Sequence, residues 1–183
     1  MTDPTPLPLP QRTYAVLVED VPGVLNRVAS LFRRRNFNIV SLNVGRTHEP
    51  GISRMTVVVE ADDRTGRLIE ANLYKLVNVL AVDDITHRPR VDRDLALIRV
   101  AAGPDDRASI LQICEVFRAR VIDVARESLV VEITGDQEKI DGLIDLLRPY
   151  GITEMVQTGA IALTRGADAG AARLHRLASR RAA

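Results

Sequence analysis

The stretch Arg12-Thr13-Tyr14-Ala15-Val16-Leu17-Val18-Glu19-Asp20-Val21-Pro22-Gly23-Val24-Leu25-Asn26-Arg27-Val28 changes its hydrophobic period partway along. Tyr14, Val16 and Val18 alternate with their neighbours, the period of a strand. From residue 24 onward Val24, Leu25, Val28, Leu31 and Phe32 recur at the spacing of a helix with one apolar face. Asp20-Val21-Pro22-Gly23 separates the two regimes and predicts a tight break. Pro22 is expected in the first helical turn, where its missing N–H costs nothing. Arg33-Arg34-Arg35 suits the negative end of the helix dipole.

Two strand-like runs follow, residues 38–47 and 52–60, split by Glu49-Pro50-Gly51, which reads as a hairpin turn. Leu68, Ile69, Leu73, Leu76 and Val77 predict a second helix, and residues 79–87 a last strand. The order is βαββαβ. The second half repeats that order without repeating the sequence. It has a strand over 94–101, a Gly103-Pro104-Asp105 break and a helix with Ile110, Cys114 and Phe117 inward. A hairpin over 121–125 and 129–133 comes next, then a helix face of Ile140, Leu143, Ile144 and Leu147, and strand material from 152 to 163.

The expected fold class is α+β, two tandem ferredoxin-like βαββαβ domains. They span residues 12–88 and 94–166, joined by a linker at 89–93. Residues 1–11, with Pro4, Pro6, Pro8 and Pro10, read as a flexible lead-in. Residues 167–183, rich in Ala and Arg, read as a flexible basic tail, either frayed or touching a partner. Ile39 and Val58 fall on alternate positions from the core set, so the second sheet face needs cover, and dimerisation supplies it.

Composition removes several functions. The 25 Lys+Arg nearly balance the 24 Asp+Glu, so no global field draws the chain to nucleic acid or an anionic membrane. Aromatics at 3% leave no rings for base stacking on the sheet, which RNA-recognition domains of the same topology require. The single cysteine, Cys114, sits among apolar residues and reads as core, and it excludes a Cys-x-x-Cys metal site. No stretch approaches a membrane span, and residues 1–11 lack signal-peptide order, so a cytoplasmic location is expected. No phosphate loop, dinucleotide fingerprint or nucleophile elbow occurs. His48, His87 and His175 are too scattered for a metal site and read as solvated. Asp62-Asp63, Asp83-Asp84 and Asp105-Asp106 border breaks, where capping and solvation explain them better than acid–base chemistry.

The break after the first strand is the candidate binding site. A glycine at a helix N-terminus admits close approach, and the free amides and dipole there favour an anion such as an amino-acid carboxylate. Gly23 is the leading residue, its competing role being a plain tight turn. Asp20 either attracts a ligand ammonium or caps the helix. A stand-alone amino-acid sensor or transcription regulator, and a small enzyme on the same scaffold, are the rival readings.

Asp20, Pro22, Gly23, Val24 and Leu25 resemble the mark of the ACT-domain family: an acidic residue, then Pro-Gly and an aliphatic pair before the first helix. Asn36 to Leu42, Ser53 to Thr56 and Leu76 to Val79 are similar to the acetohydroxyacid (acetolactate) synthase small regulatory subunit family. In the second half, Phe117 to Ala119, Val121 to Val124, Ser128-Leu129 and Gly159 to Gly166 carry the same likeness. It covers about Arg12 to Gly166 in unbroken order.

The resemblance implies a regulatory chain with no catalytic site, metal or cofactor of its own. It implies a large catalytic partner carrying thiamine diphosphate, magnesium and FAD, and feedback inhibition by valine. It also implies a homodimer through the ACT domain, with valine at the interface. One chain would contribute Asp20, Val21, Pro22, Gly23, Val24 and Leu25, and the other Asn38 and Ile39. Gly103-Pro104-Asp105 departs from the Pro-Gly-aliphatic pattern, so the second domain is not expected to bind an amino acid by that route.

Overall fold

A computed structural model of the chain describes residues 9–166. The lead-in up to residue 8, the basic tail from 167 and His175 lie outside the described residues. The chain divides into two compact units: one runs to Val91 and resumes at Ala162, the other spans Asp92–Ile161.

The first unit has the order β1 (Gln11–Glu19), α1 (Val24–Arg34), β2 (Ile39–Arg46), β3 (Ile52–Glu60), α2 (Asp63–Leu73) and β4 (Val79–Asp84). Its antiparallel sheet runs β2-β3-β1-β4, the ferredoxin-like arrangement, with β2 at an edge. Gln11, assigned by its sequence to the lead-in, opens β1.

Helix α1 buries Val24, Val28, Leu31 and Phe32. Each such side chain contributes about 1.5–3 kcal/mol. The helix stops where Asn36 turns left-handed at φ 55°. There the Phe37 N–H reaches Phe32 O at 3.0 Å, and Asn36 N–H reaches Arg33 O at 3.2 Å. The two rings meet edge to face with centroids 5.9 Å apart, the apolar contact that accompanies this type of cap.

Strand β1 is buried on both faces, not only at Tyr14, Val16 and Val18. Ala15 and Leu17 pack with Leu80, Ala81, Ile85 and Ala162 on the face away from the helices. Arg54 of β3 fixes that cover by donating from Nη2 to Ala162 O at 2.7 Å. Part of the second face is thus covered by the chain's own return segment. Ile39 also departs from expectation and packs against the helix-side core. A bulge between Ile39 and Ser41 inserts Val40 and shifts the alternation by one residue.

The second unit contains most of β5 (Arg90–Ala101), then α3 (Arg107–Phe117), β6 (Arg120–Val124), β7 (Ser128–Gly135), α4 (Gln137–Leu147) and β8 (Ile152–Gln157). The strand order is β6-β7-β5-β8. Ile110, Cys114, Ile140, Leu143 and Leu147 close its core, with Phe117 partly buried beside them. The strand material expected over 152–163 is interrupted at residues 158–160. It resumes as β9 (Ile161–Thr164), which also pairs with β5. Residues 90–93, expected as linker, already belong to β5, since a partner strand satisfies their backbone better than solvent.

Candidate functional site

The turn from β1 into α1 is built around Gly23, the helix N-cap, at φ 87°. This left-handed conformation favours glycine, and it forces Pro22 outside the helix rather than into its first turn. No side chain caps α1 and no acidic residue lies in its first turn. The first helical bond is Arg27 N–H to Gly23 O at 3.0 Å, so the amides of residues 24–26 point out of the helix end. A Cβ placed on Gly23 would meet nothing within 4 Å, so the N-cap position at the head of the helix is uncrowded. An anion seated there gains both hydrogen bonds and the dipole.

Asp20 does not cap. Its carboxylate faces the Arg46 guanidinium at the end of β2, 3.6 Å away, with both side chains largely exposed. Its N–H donates to Gly51 O at 2.8 Å, which ties the turn to the β2–β3 hairpin. On the other flank Asn78 donates to Glu19 at 2.5 Å and accepts from Arg27 Nη1 at 2.8 Å. Arg46, Glu19, Asn78 and Arg27 were therefore missed as neighbours of the site. Arg46 and Asn78 come from segments brought in by sheet pairing, which no local spacing signals, whereas Glu19 and Arg27 flank the turn in sequence. Val21, Pro22 and Leu25 are exposed around the turn, whereas Val24 is buried in the core.

Asn38 and Ile39 do not join this turn within one chain. They follow the far end of α1, and its 11 residues separate the two places by roughly 16 Å.

The acidic pairs divide. Asp62 caps α2 by accepting from the Thr65 N–H at 2.7 Å, and that bond holds its carboxyl below the usual range. Asp63 and Asp84 instead pair with Arg12, which is 8% exposed, and Asp83 pairs with Arg88 at 2.9 Å. Burial opposes the Arg12 charge, but Asp63, Tyr14 and Asp84 outweigh it and raise its pKa. Tyr14 beside it, donating to Gly66 O at 3.0 Å, is pushed up to about 12 by burial and then by Asp84. Gly66 is required there, since a Cβ would lie 2.7 Å from the Arg12 side chain. These groups form a structural clamp between β1, α2 and β4. Cys114 is buried, and burial pushes its thiol up. His48 and His87 are exposed, and no cluster of metal-ligating side chains occurs among the described residues.

Two sheets of ferredoxin-like topology, the first with an uncapped glycine-headed helix beside a free edge strand, define a tandem protein led by an ACT-type ligand domain. Residues 15–81 match the family of the AHAS small subunit-like ACT domain, and residues 93–166 match that of the small subunit of acetolactate synthase. A probable acetolactate synthase small subunit of Archaeoglobus fulgidus is 50% identical over 156 residues, 85% of this chain and 98% of the relative. The acetolactate synthase small subunit of Mycobacterium leprae is 49% identical over 86% of this chain and 94% of its own length. The crystal structure of the Thermotoga maritima small subunit superposes with a TM-score of 0.81 at 39% identity, covering 87% of this chain and all of that one. The chain belongs to the acetolactate synthase small subunit family, and with it to the regulatory rather than the catalytic components.

Proposed function

We propose that this chain activates the large catalytic subunit of acetolactate synthase and subjects it to feedback inhibition by valine in branched-chain amino-acid biosynthesis. The observation that carries the reading is the family match along both units, in order, at about half identity to full-length small subunits. The chemistry on carbon belongs to the large subunit with its thiamine diphosphate, magnesium and FAD. This chain contributes a ligand-dependent contact.

Valine binds between two copies, its carboxylate on the open amides after Gly23 and its ammonium near Asp20. The edge position of β2 supports that arrangement, because an unpaired strand edge is a template for another strand. Two β2 strands paired antiparallel about a two-fold axis set the start of one beside the end of the other. The end of β2 carries Arg46, which faces Asp20. Such pairing brings the partner's Asn38 and the partner's Ile39 to the Gly23 turn, closing the roughly 16 Å gap within one chain. Exposed Val21, Leu25, Val40 and Val44 supply apolar surface for the ligand side chain and the interface.

Adding the chain to the large subunit raises acetolactate formation, and titrating valine then lowers it several-fold, the scale of an allosteric coupling of about 1–3 kcal/mol. A large subunit equally active with and without this chain overturns the reading.

A further inference from the structure

The cations of the first unit are not distributed evenly with respect to partners. Arg12, Arg46 and Arg88 pair with carboxylates, Arg27 with Asn78, and Arg54 and Arg90 with backbone carbonyls. Arg64 and Arg67 also pair with no carboxylate among the described residues, but Arg34, Arg35 and Lys75 are gathered in one place. They line one open groove of about 440 Å³ between the C-terminal ends of α1 and α2, over Leu31, Leu76 and Asn72. Among the described residues no carboxylate pairs with these three, nor with the adjacent Arg33. Arg34 Nε reaches Ser30 O and Lys75 Nζ reaches Asn72 Oδ1, each at 3.4 Å.

The helix dipole accounts for a cation in the last turn, but Arg35 follows α1 and Lys75 follows α2, so the cluster exceeds what the helix ends need. Like charges held together favour an occupant of opposite sign. The chain's own tail, with Arg173, Arg176, Arg180 and Arg181, has the wrong sign. A second copy docked face to face brings the same cations. A small phosphate-type anion would leave the apolar floor unused and stay in water, because the groove is open rather than enclosing. The remaining fit is a segment with one apolar face and a carboxylate rim.

We propose that this groove docks an acidic amphipathic segment of the catalytic large subunit, an apolar side chain resting on Leu31 and Leu76 and carboxylates meeting Arg34, Arg35 and Lys75. The proposal rests on the regulatory-subunit reading above. Helix α1 then carries the valine turn at one end and the catalytic contact at the other, so a ligand that moves the helix reaches the partner directly.

The test uses the full chain and the intact large subunit. Arg34→Glu with Arg35→Glu is expected to weaken large-subunit affinity by about thirtyfold at low ionic strength, with a flatter salt dependence. Lys75→Glu weakens it by about fivefold on the same grounds. Arg34→Lys with Arg35→Lys retains most of the affinity. The melting midpoint stays at the wild-type value throughout, because the altered side chains are exposed. Reversal variants that bind the large subunit within about twofold of wild type overturn the groove and leave the regulatory reading intact. Saturable binding of inorganic pyrophosphate that the reversals abolish, with large-subunit affinity unchanged, overturns it in favour of a small polyanion. A wild-type chain that never engages the large subunit overturns both.

Discussion

The turn after β1 and the turn after β5 hold the same place in the same topology, and their surroundings differ. At the first, Gly23 is left-handed, no side chain caps the helix, and the amides look into open space. At the second, the N-cap residue Asp106 makes no side-chain cap bond either, but its carboxylate crowds the turn, 3.7 Å from where a Cβ on Gly103 would sit. Arg107 folds over that turn and donates to the carbonyls of Ala102, Ala125 and Arg126. The second unit lays its own guanidinium over the turn, where the first leaves open space. One fold therefore leaves this turn open in one copy and lays the Arg107 side chain over it in the other.

A parallel contrast lies beneath the sheets. Arg12 sits two residues before Tyr14, which pairs with Asp84, and Asp94 sits two residues before Ala96, which pairs with Gln157. Both are buried charges at equivalent places. Arg12 has two carboxylates, whereas Asp94 accepts one bond from Gln157 at 3.2 Å and its Oδ1 has no partner among the described residues. Burial, and then Asp92, hold the Asp94 carboxyl above its usual range, against the pull of the Gln157 bond.

The contrast between turns yields the largest expected effect. Gly23→Asp puts a carboxylate on the amides and strains a positive φ, and valine affinity falls by more than about thirtyfold in calorimetry. Gly103→Asp leaves it within about twofold, since that niche already holds an acid. Comparable losses from both variants would mean that the two turns share one role.

The buried charges follow. Arg12→Met costs about 3 kcal/mol by leaving Asp84 without its cation, read as lost amide-exchange protection in β1. Asp94→Asn is neutral or stabilising by up to about 1 kcal/mol, read in β5. An equal loss in β5 would show that Asp94 has a partner in solution.

The pH dependence separates the units in sign. Asp94 has a raised folded pKa, so its contribution erodes as pH rises from about 3.9 through that pKa, and Asp94→Asn removes the erosion. Asp62 has a lowered one, so its contribution is present above the unfolded pKa and is lost as pH falls through the folded pKa. Exchange in β5 and α2 across pH 3 to about 7 reads both. The smallest effect belongs to the exposed Asp20–Arg46 pair. Arg46→Ala changes stability by less than about 0.5 kcal/mol, while freeing Asp20 raises valine affinity about twofold. A loss of affinity instead would assign Arg46 to the ligand.

Much of this was legible without coordinates. The change from period 2 to period 3.6 at Asp20 to Gly23 marked the strand, turn and helix, and the same signals located α2, α3 and α4. Where the reading failed, distant chain segments decided the outcome. Val40 bulges out of β2 and turns Ile39 inward, and Ala162 returns from the far end of the sequence to bury Ala15 and Leu17. Asp20 resembled a cap because the short acidic side chain near a helix start has that local habit, yet sheet pairing put Arg46 beside it.

Hydrophobic spacing and turn residues were enough to establish two ferredoxin-like units, the break before the first helix and the lack of any catalytic motif, because those features depend on neighbours within a few positions. The three-dimensional arrangement alone established which faces are covered and which buried charges have partners. Those outcomes depend on segments many residues apart meeting in space, and a local pattern contains no information about which segments will meet.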